Sequence, residues 1–182
     1  MTRLEFDGGI LRSHRREDAG EMARHGNNPR IAAQLMDRWP TPYTINHAEE
    51  WLDGVLGQDP ERNLVIEVGG NLVGGLGIEL GTDVYRGTAE IGYWLAEPFW
   101  GRGIMTAAID CFCAWLFQRY RFRRIQARVY AGNPASARVL EKAGFVYEGT
   151  MKDAIIKLGQ VQDLRVYARL FPTQIAADDG SR

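Results

Sequence analysis

Cysteine is scarce in this chain: two residues in 182, Cys111 and Cys113. That excludes a disulfide-stapled secreted scaffold. Their spacing excludes a bridge or a zinc site as well, since helix neighbours two apart point to different faces. We read both as small core fillers, neither of them a nucleophile, and expect no metal. An excess of one charge is also missing. Lys and Arg number 22 against 23 Asp and Glu, a net charge of −1, so no nucleic-acid partner is expected. No apolar run reaches the roughly 18 residues a membrane helix needs. The first residues lack the basic-then-apolar order of a leader. We therefore expect no membrane partner and a cytoplasmic location.

What is present suits one soluble domain spanning 1–182, with 45% apolar and 25% charged residues. At this length folding removes about 70% of the unfolded surface from water. The ordered core is expected over about 9–171, followed by a polar, disordered tail at 172–182. Residues 9–14 read as a short strand. Glu17 to His25 reads as a helix broken by Gly26-Asn27-Asn28-Pro29, with a second short helix from Ile31 to Met36. "RWPTPYT" is a loop carrying Trp39 and Tyr43. Asn46, with Glu49 three residues on, reads as the cap of a helix bearing Ala48, Trp51, Leu52, Val55 and Leu56.

"NLVIEVGGNLVGGLGIEL" reads as two strands joined at Gly69-Gly70-Asn71. Its glycines do not make a dinucleotide fingerprint, because no helix pattern follows Gly77. "GTAEIGYWLA" is another strand, and a long helix follows from Ile104 to Tyr120. "RRIQARVY" is a strand. Asn133 then caps a short helix that has Pro134 at its first position and Gly144 at its end. "FVYEGTM" and "VQDLRVYARLF" close the chain as strands around a "KLGQ" turn. The order implies an α/β (α+β) layered domain: a mixed, mostly antiparallel sheet of about seven strands flanked by helices.

The chemistry concentrates in "EPFWGRGIMTAA", where Gly101-Arg102-Gly103 precedes the long helix. A helix start presents unpaired N–H groups and a positive dipole end, so anions bind there. Glycine lets a phosphate approach the backbone, and Arg102 adds a charge-assisted donor. The lysine and spacing of a Walker loop are missing. Taken alone, a phosphate seat and a plain helix start stand level. The run "QRYRFRRIQAR" (Arg119, Arg121, Arg123, Arg124, Arg128) likewise has two readings: a solvated helix end with an exposed strand face, or a basic rim for an anionic ligand.

Context changes the balance. Ala89–Leu95 ("AEIGYWL"), Trp100–Thr106 ("WGRGIMT"), Asn133–Val139 ("NPASARV") and Gly144-Phe145 together resemble the GNAT superfamily of acyl-CoA-dependent N-acetyltransferases. They are most similar to its RimJ/RimL-like branch, which acetylates N-terminal amines of ribosomal proteins. Pro40, Pro42, Tyr43, Thr44, Ala48, Trp51 and Leu52 resemble that branch too. The likeness is clear over about 60–171 and loose before that. It implies acetyl-CoA held in a V-shaped splay between the strands at about 88–95 and 124–130. The pyrophosphate would lie against Arg102, Gly103, Ile104, Met105 and Thr106, the cofactor arm would meet Asn133, and a backbone N–H near Leu95 would serve the acyl oxygen. Transfer would be direct, in a ternary complex, to a primary amine: a protein N-terminus or a small amine. Dimers are common in the branch, so a homodimer stays open.

The resemblance also marks departures. Trp100 and Met105 stand at the ends of the loop motif, where the superfamily commonly has Arg or Gln and Gly or Ala. Leu140 occupies the place of a frequent proton-donating tyrosine, and Ile155 that of the branch's base glutamate, with Asp153 a weak substitute. Ser136 matches the branch's serine: it either serves the leaving sulfur or is a small residue where a helix crosses the cofactor. Glu90 matches a base glutamate of the histone-modifying branch. Against that stands an ordinary strand residue facing solvent or an arginine. Trp39, Tyr43 and Tyr85 are expected near the acceptor mouth, with plain loop packing as the alternative. The missing proton-transfer residues keep a second class in view, a non-catalytic acyl-CoA-binding or protein-interaction domain.

Overall fold

The first twelve residues form one strand more than their pattern announces. In the computed structural model, β1 (Arg3–Phe6) pairs antiparallel with β2 (Gly9–Arg12) around Asp7-Gly8, where Gly8 has φ 101°. A strand of so few residues leaves little alternation to read, so the expected sheet of seven becomes one of eight. Residues 1–120 and 122–171 are described. Arg121 and the tail, with the disorder expected of it, lie outside the described residues.

A 3-10 turn, Arg16–Asp18, leads into α1 (Ala19–Gly26). The next helix, α2 (Pro29–Ala32), is a single turn and starts earlier than expected: Asn28 caps it through its bond from Arg30 N–H (2.8 Å), and Pro29 fills the first position. α3 (Ile45–Val55) is capped by Thr44 rather than Asn46. Thr44 is extended, its hydroxyl accepts from His47 N–H, and His47 Nδ1 accepts from Thr44 N–H at 3.1 Å. Histidine thus plays the part usually given to glutamate in a reciprocal cap.

β3 (Asn63–Val68) and β4 (Asn71–Leu80) turn at Gly69-Gly70, both at positive φ as a tight hairpin requires. β5 (Thr88–Leu95), α4 (Ile104–Tyr120), β6 (Arg124–Tyr130), α5 (Pro134–Lys142), β7 (Val146–Lys157) and β8 (Gln160–Leu170) complete the chain. The sheet order is β1-β2-β3-β4-β5-β6-β8-β7, antiparallel except at β5/β6. That one parallel pair holds register only through Thr88↔Arg124, Ala89↔Ile125 and Glu90↔Gln126. Both strands continue beyond it without pairing with each other, so the expected splay between 88–95 and 124–130 is present.

Strand alternation sends side chains to two different cores. Leu64, Leu76, Ile91 and Ile125 join α4 and α5 residues such as Phe112, Leu116 and Leu140 on one face. Val65 and Trp94 join Met22, Tyr43, Ala48 and Leu52 on the other, under α1 and α3. Cys113 is fully buried in the first core, where burial pushes its thiol up to about 12. Cys111 is half-buried. A buried ionic cluster ties the N-terminal segment down. Arg12 donates to both carboxylate oxygens of Asp18 (2.9 and 2.7 Å) and to Glu67 (2.5 Å). Among the described residues, no helix is long and apolar enough to cross a membrane.

Candidate active site

The Gly-Arg-Gly loop opens α4 as a cradle. Gly101 and Gly103 sit at φ 73° and 79°, in the left-handed region, and a Cβ on either would meet nothing within 4 Å. The first backbone bond at the helix start runs from Ala107 N–H to Gly103 O (3.1 Å). The N–H groups of Ile104, Met105 and Thr106 therefore precede the helical ladder and face the loop. The side chains of Ile104 and Met105 are buried in the α4 core, which fixes the backbone beneath the cradle.

The cradle forms one wall of a cleft of about 630 Å³. Every residue expected at the cofactor lines it: Arg102 to Thr106, Asn133 and Leu95, with Ser136 beside them. Arg30, Arg138 and Lys142 add positive charge to the walls. Arg30 is ion-paired with Glu97 and lies over the Trp100 ring (5.0 Å). Trp100, one of the two motif departures, donates its indole N–H to Leu95 O (2.7 Å) and so closes the end of β5 onto the loop. Backbone amides at a helix start, glycine that admits a close approach, and flanking cations together fit a pyrophosphate-bearing ligand.

The open edge of β5 supplies further donors. Gly81 N–H bonds Thr88 O, and Ala96 N–H bonds Val73 O, so even-numbered β5 residues exchange bonds with β4. The odd-numbered ones turn their backbone towards β6. Past Gln126 nothing pairs with them, which leaves the N–H groups of Tyr93 and Leu95 at the splay. Tyr93 also reaches across: its hydroxyl lies 2.7 Å from Ser136 Oγ. Burial pushes the Tyr93 phenol up, which keeps it protonated at neutral pH. Asn133 Oδ1 accepts from Ser136 N–H (3.0 Å), so its cap role holds and positions Ser136 as well.

A second cavity of about 380 Å³ shares Gln34, Leu35, Tyr93 and Trp94 with the first. Gly75 and Gly77 on β4 and Gly92 on β5 line it on the α1/α3 face. The bare sheet there is what makes room for a ligand. Glu90 lines this cavity, held by Arg128 Nε (2.7 Å) and Gln126 Nε2 (3.2 Å). Ile155 lines it where the branch would have a base, and Leu140 is fully buried in the core. Asp153 is exposed.

Of the three aromatics expected at the acceptor mouth, only Trp39 lines this cavity. Tyr43 is buried behind it, stacked at 4.4 Å. Tyr85 is 68% exposed on the β4–β5 connection and lines neither cavity, because that connection lies at the end of β5 away from the loop. The basic run is dispersed too: Arg124 pairs with Glu148, Arg128 with Glu90, and Arg119 lies 3.8 Å from Asp59.

Sequence reasoning passed over Tyr93, Gly92, Gln34 and His14. Strand parity within "AEIGYWL" was the available signal for Tyr93 and Gly92. His14 lines the second cavity with its side chain 7% exposed. Burial lowers its imidazole to about 4, with nearby Asp18 opposing and Arg12 reinforcing the shift. The unfolded chain protonates near 6.5 while the folded chain does not. Stability should therefore decline as pH falls from 6.5 towards 4, by about 3 kcal/mol from this group, and be unaffected by it above 6.5. Denaturation midpoints across that range should flatten in His14→Gln.

The profile described as "Acetyltransferase (GNAT) domain" matches residues 10–146. The chain belongs to this acetyltransferase family. Among relatives, the SPbeta prophage-derived uncharacterized N-acetyltransferase YokL of Bacillus subtilis is 30% identical over 130 residues, 70% of this chain and 72% of that one. The ribosomal-protein-serine acetyltransferase of Escherichia coli is 36% identical over 87 residues, 48% of this chain and 49% of that one. The aligned segments span about half the length of several of the curated relatives this chain matches. Mycobacterium smegmatis RimJ, solved in complex with CoA-disulfide, superposes with TM-score 0.79 and 28% identity, covering 93% of this chain and 86% of that one.

Proposed function

We propose that this GNAT domain transfers the acetyl group of acetyl-CoA directly to a primary amine, with a protein N-terminal amine as the leading acceptor. The observation that carries the reading is the meeting of two separately lined cavities at Tyr93 and Trp94, where β5 parts from β6. Similarity to the ribosomal-protein-serine acetyltransferase and to RimJ supports the choice of acceptor class.

Acetyl-CoA supplies an activated thioester when bound. The chain's own groups then have distinct tasks. Ile104, Met105 and Thr106 N–H, with Arg102, would hold the pyrophosphate, and Asn133 the cofactor arm. The N–H of Tyr93 and that of Leu95 would donate to the acyl oxygen and the arm. Ser136, hydrogen-bonded to the protonated Tyr93, would hold a proton for the leaving sulfur. The amine must lose a proton; Glu79 and Glu90 both line the acceptor cavity, and Glu90, on β5 beside the splay, would be the acceptor of that proton.

Calorimetry with acetyl-CoA tests the cofactor; no binding at millimolar concentration would sink the proposal. Gly103→Val should weaken that binding at least about tenfold, since φ 79° strains a branched residue and its Cβ fills the cradle. Glu90→Gln should lower kcat and displace the acid limb of its pH profile; an unaltered rate and profile removes Glu90 as base. The competing binding-domain reading draws on Leu140 and Ile155, and turnover of any amine at an enzymatic rate rejects it.

A further inference from the structure

The acceptor-side cavity contains a buried polar group that the proposed reaction does not use. Neither ring nitrogen of His14 has a hydrogen-bond partner among the described residues. Its ring stands edge-on to Trp51 (4.7 Å). The nearest carboxylate, Asp18 at 3.9 Å, is already taken by Arg12 and by Arg15 N–H (2.7 Å). Leaving a buried donor and acceptor unmade is costly, and a ligand that meets them recovers the cost.

The register shows where such a ligand would lie. Arg12 pairs with Val65, so the line continued two residues on sets His14 level with Asn63, which pairs with Gly77, which pairs with Gly92. These four positions cross the sheet from β2 to β5, and all line the cavity. Glycine at the two β5-side positions leaves a trough. The Asn63 carboxamide lies over Gly77, its Oδ1 2.1 Å from where a Cβ there would sit. Three strand spacings amount to about 14 Å, or about four residues of extended peptide.

We infer that this trough is a specificity site for peptide acceptors, in which His14 and Asn63 hydrogen-bond uncharged groups about three to four residues in from the reacting amine. This rests on the amine-acetylation reading. His14 is a neutral imidazole with one donor and one acceptor, which suits an amide or hydroxyl. Met22, Met36 and Trp51 make the flanking walls apolar, which disfavours charged side chains.

The test compares kcat and KM, by CoA release, for wild type, His14→Phe and His14→Gln. The acceptors are a peptide with uncharged polar residues at its first four positions, the same peptide with Asp at the third and fourth, and phenethylamine. His14→Phe should raise KM for the uncharged peptide about tenfold with kcat nearly unchanged, spare phenethylamine, and be largely rescued in His14→Gln. An equal loss on all three acceptors, or preference for the Asp peptide, overturns the inference. A measurement on the unaltered protein stands beside this: the uncharged peptide should shift the 15N resonances of the His14 ring. Turnover without that shift overturns the trough; a shift without turnover upholds it while the acetylation reading fails.

Discussion

Gly92→Leu is expected to lower kcat/KM for an amine at least about a hundredfold while acetyl-CoA affinity changes by less than about twofold. Gly92 stands on β5 between Glu90 and Trp94, and a Cβ there meets nothing within 4 Å. The added side chain therefore enters the cavity proposed for the acceptor rather than the protein. It does not line the cofactor cleft. Folding should not suffer, because replacing a strand glycine at a compatible conformation tends to stabilise by about 0.5–1 kcal/mol. Calorimetry and CoA-release kinetics on one preparation decide the matter. Equal losses in cofactor binding and turnover would mean that Gly92 supports the fold or the cofactor side instead.

Arg12→Met is expected to be the most damaging single change to stability, by about 3–5 kcal/mol at pH 7 in urea denaturation. Among the described residues Arg12 is the cation that bridges Asp18 and Glu67, and both carboxylates are largely buried. Removing it leaves two like charges desolvated together. Burial alone would raise the Asp18 carboxyl, yet the Arg12 bonds and the Arg15 N–H hold it below its usual value. Their stabilisation is thus present above the unfolded carboxylate range and lost as pH falls through it. In Arg12→Met the Asp18 carboxyl should protonate more readily, so the gap between variant and parent narrows towards pH 4. Replacing Arg12, Asp18 and Glu67 together by apolar residues should recover most of the loss; failure to do so would make shape, not charge, the reason for the cluster.

Features carried by local chemistry were legible in the residues. The Gly-Arg-Gly start of α4 and the Asn133-Pro134 start of α5 stand where their capping signals put them. The splay was legible only through resemblance, because periodicity says nothing about where two strands part. Thr44 and Asn46 are both good caps two residues apart, and the extended backbone at Thr44 decided between them. Tyr85 and Tyr43 look alike in composition, but one sits on an exposed turn and the other behind Trp39. His14 was hidden for a different reason. Its importance depends on a line through four strands, and no window of sequence contains that line.

The common wall formed by Gln34, Leu35, Tyr93 and Trp94 bears on the order of events. Under the proposed function each ligand would have a chamber of its own, the two adjoining along one short boundary. Neither would need to wait for the other to vacate its place, and the acetylated product would depart by the route its precursor took. In steady-state terms, free CoA should compete with acetyl-CoA alone and the acetylated product with the amine alone. Reciprocal plots would then intersect rather than run parallel, the signature of two substrates meeting on one enzyme with no acyl-enzyme between them.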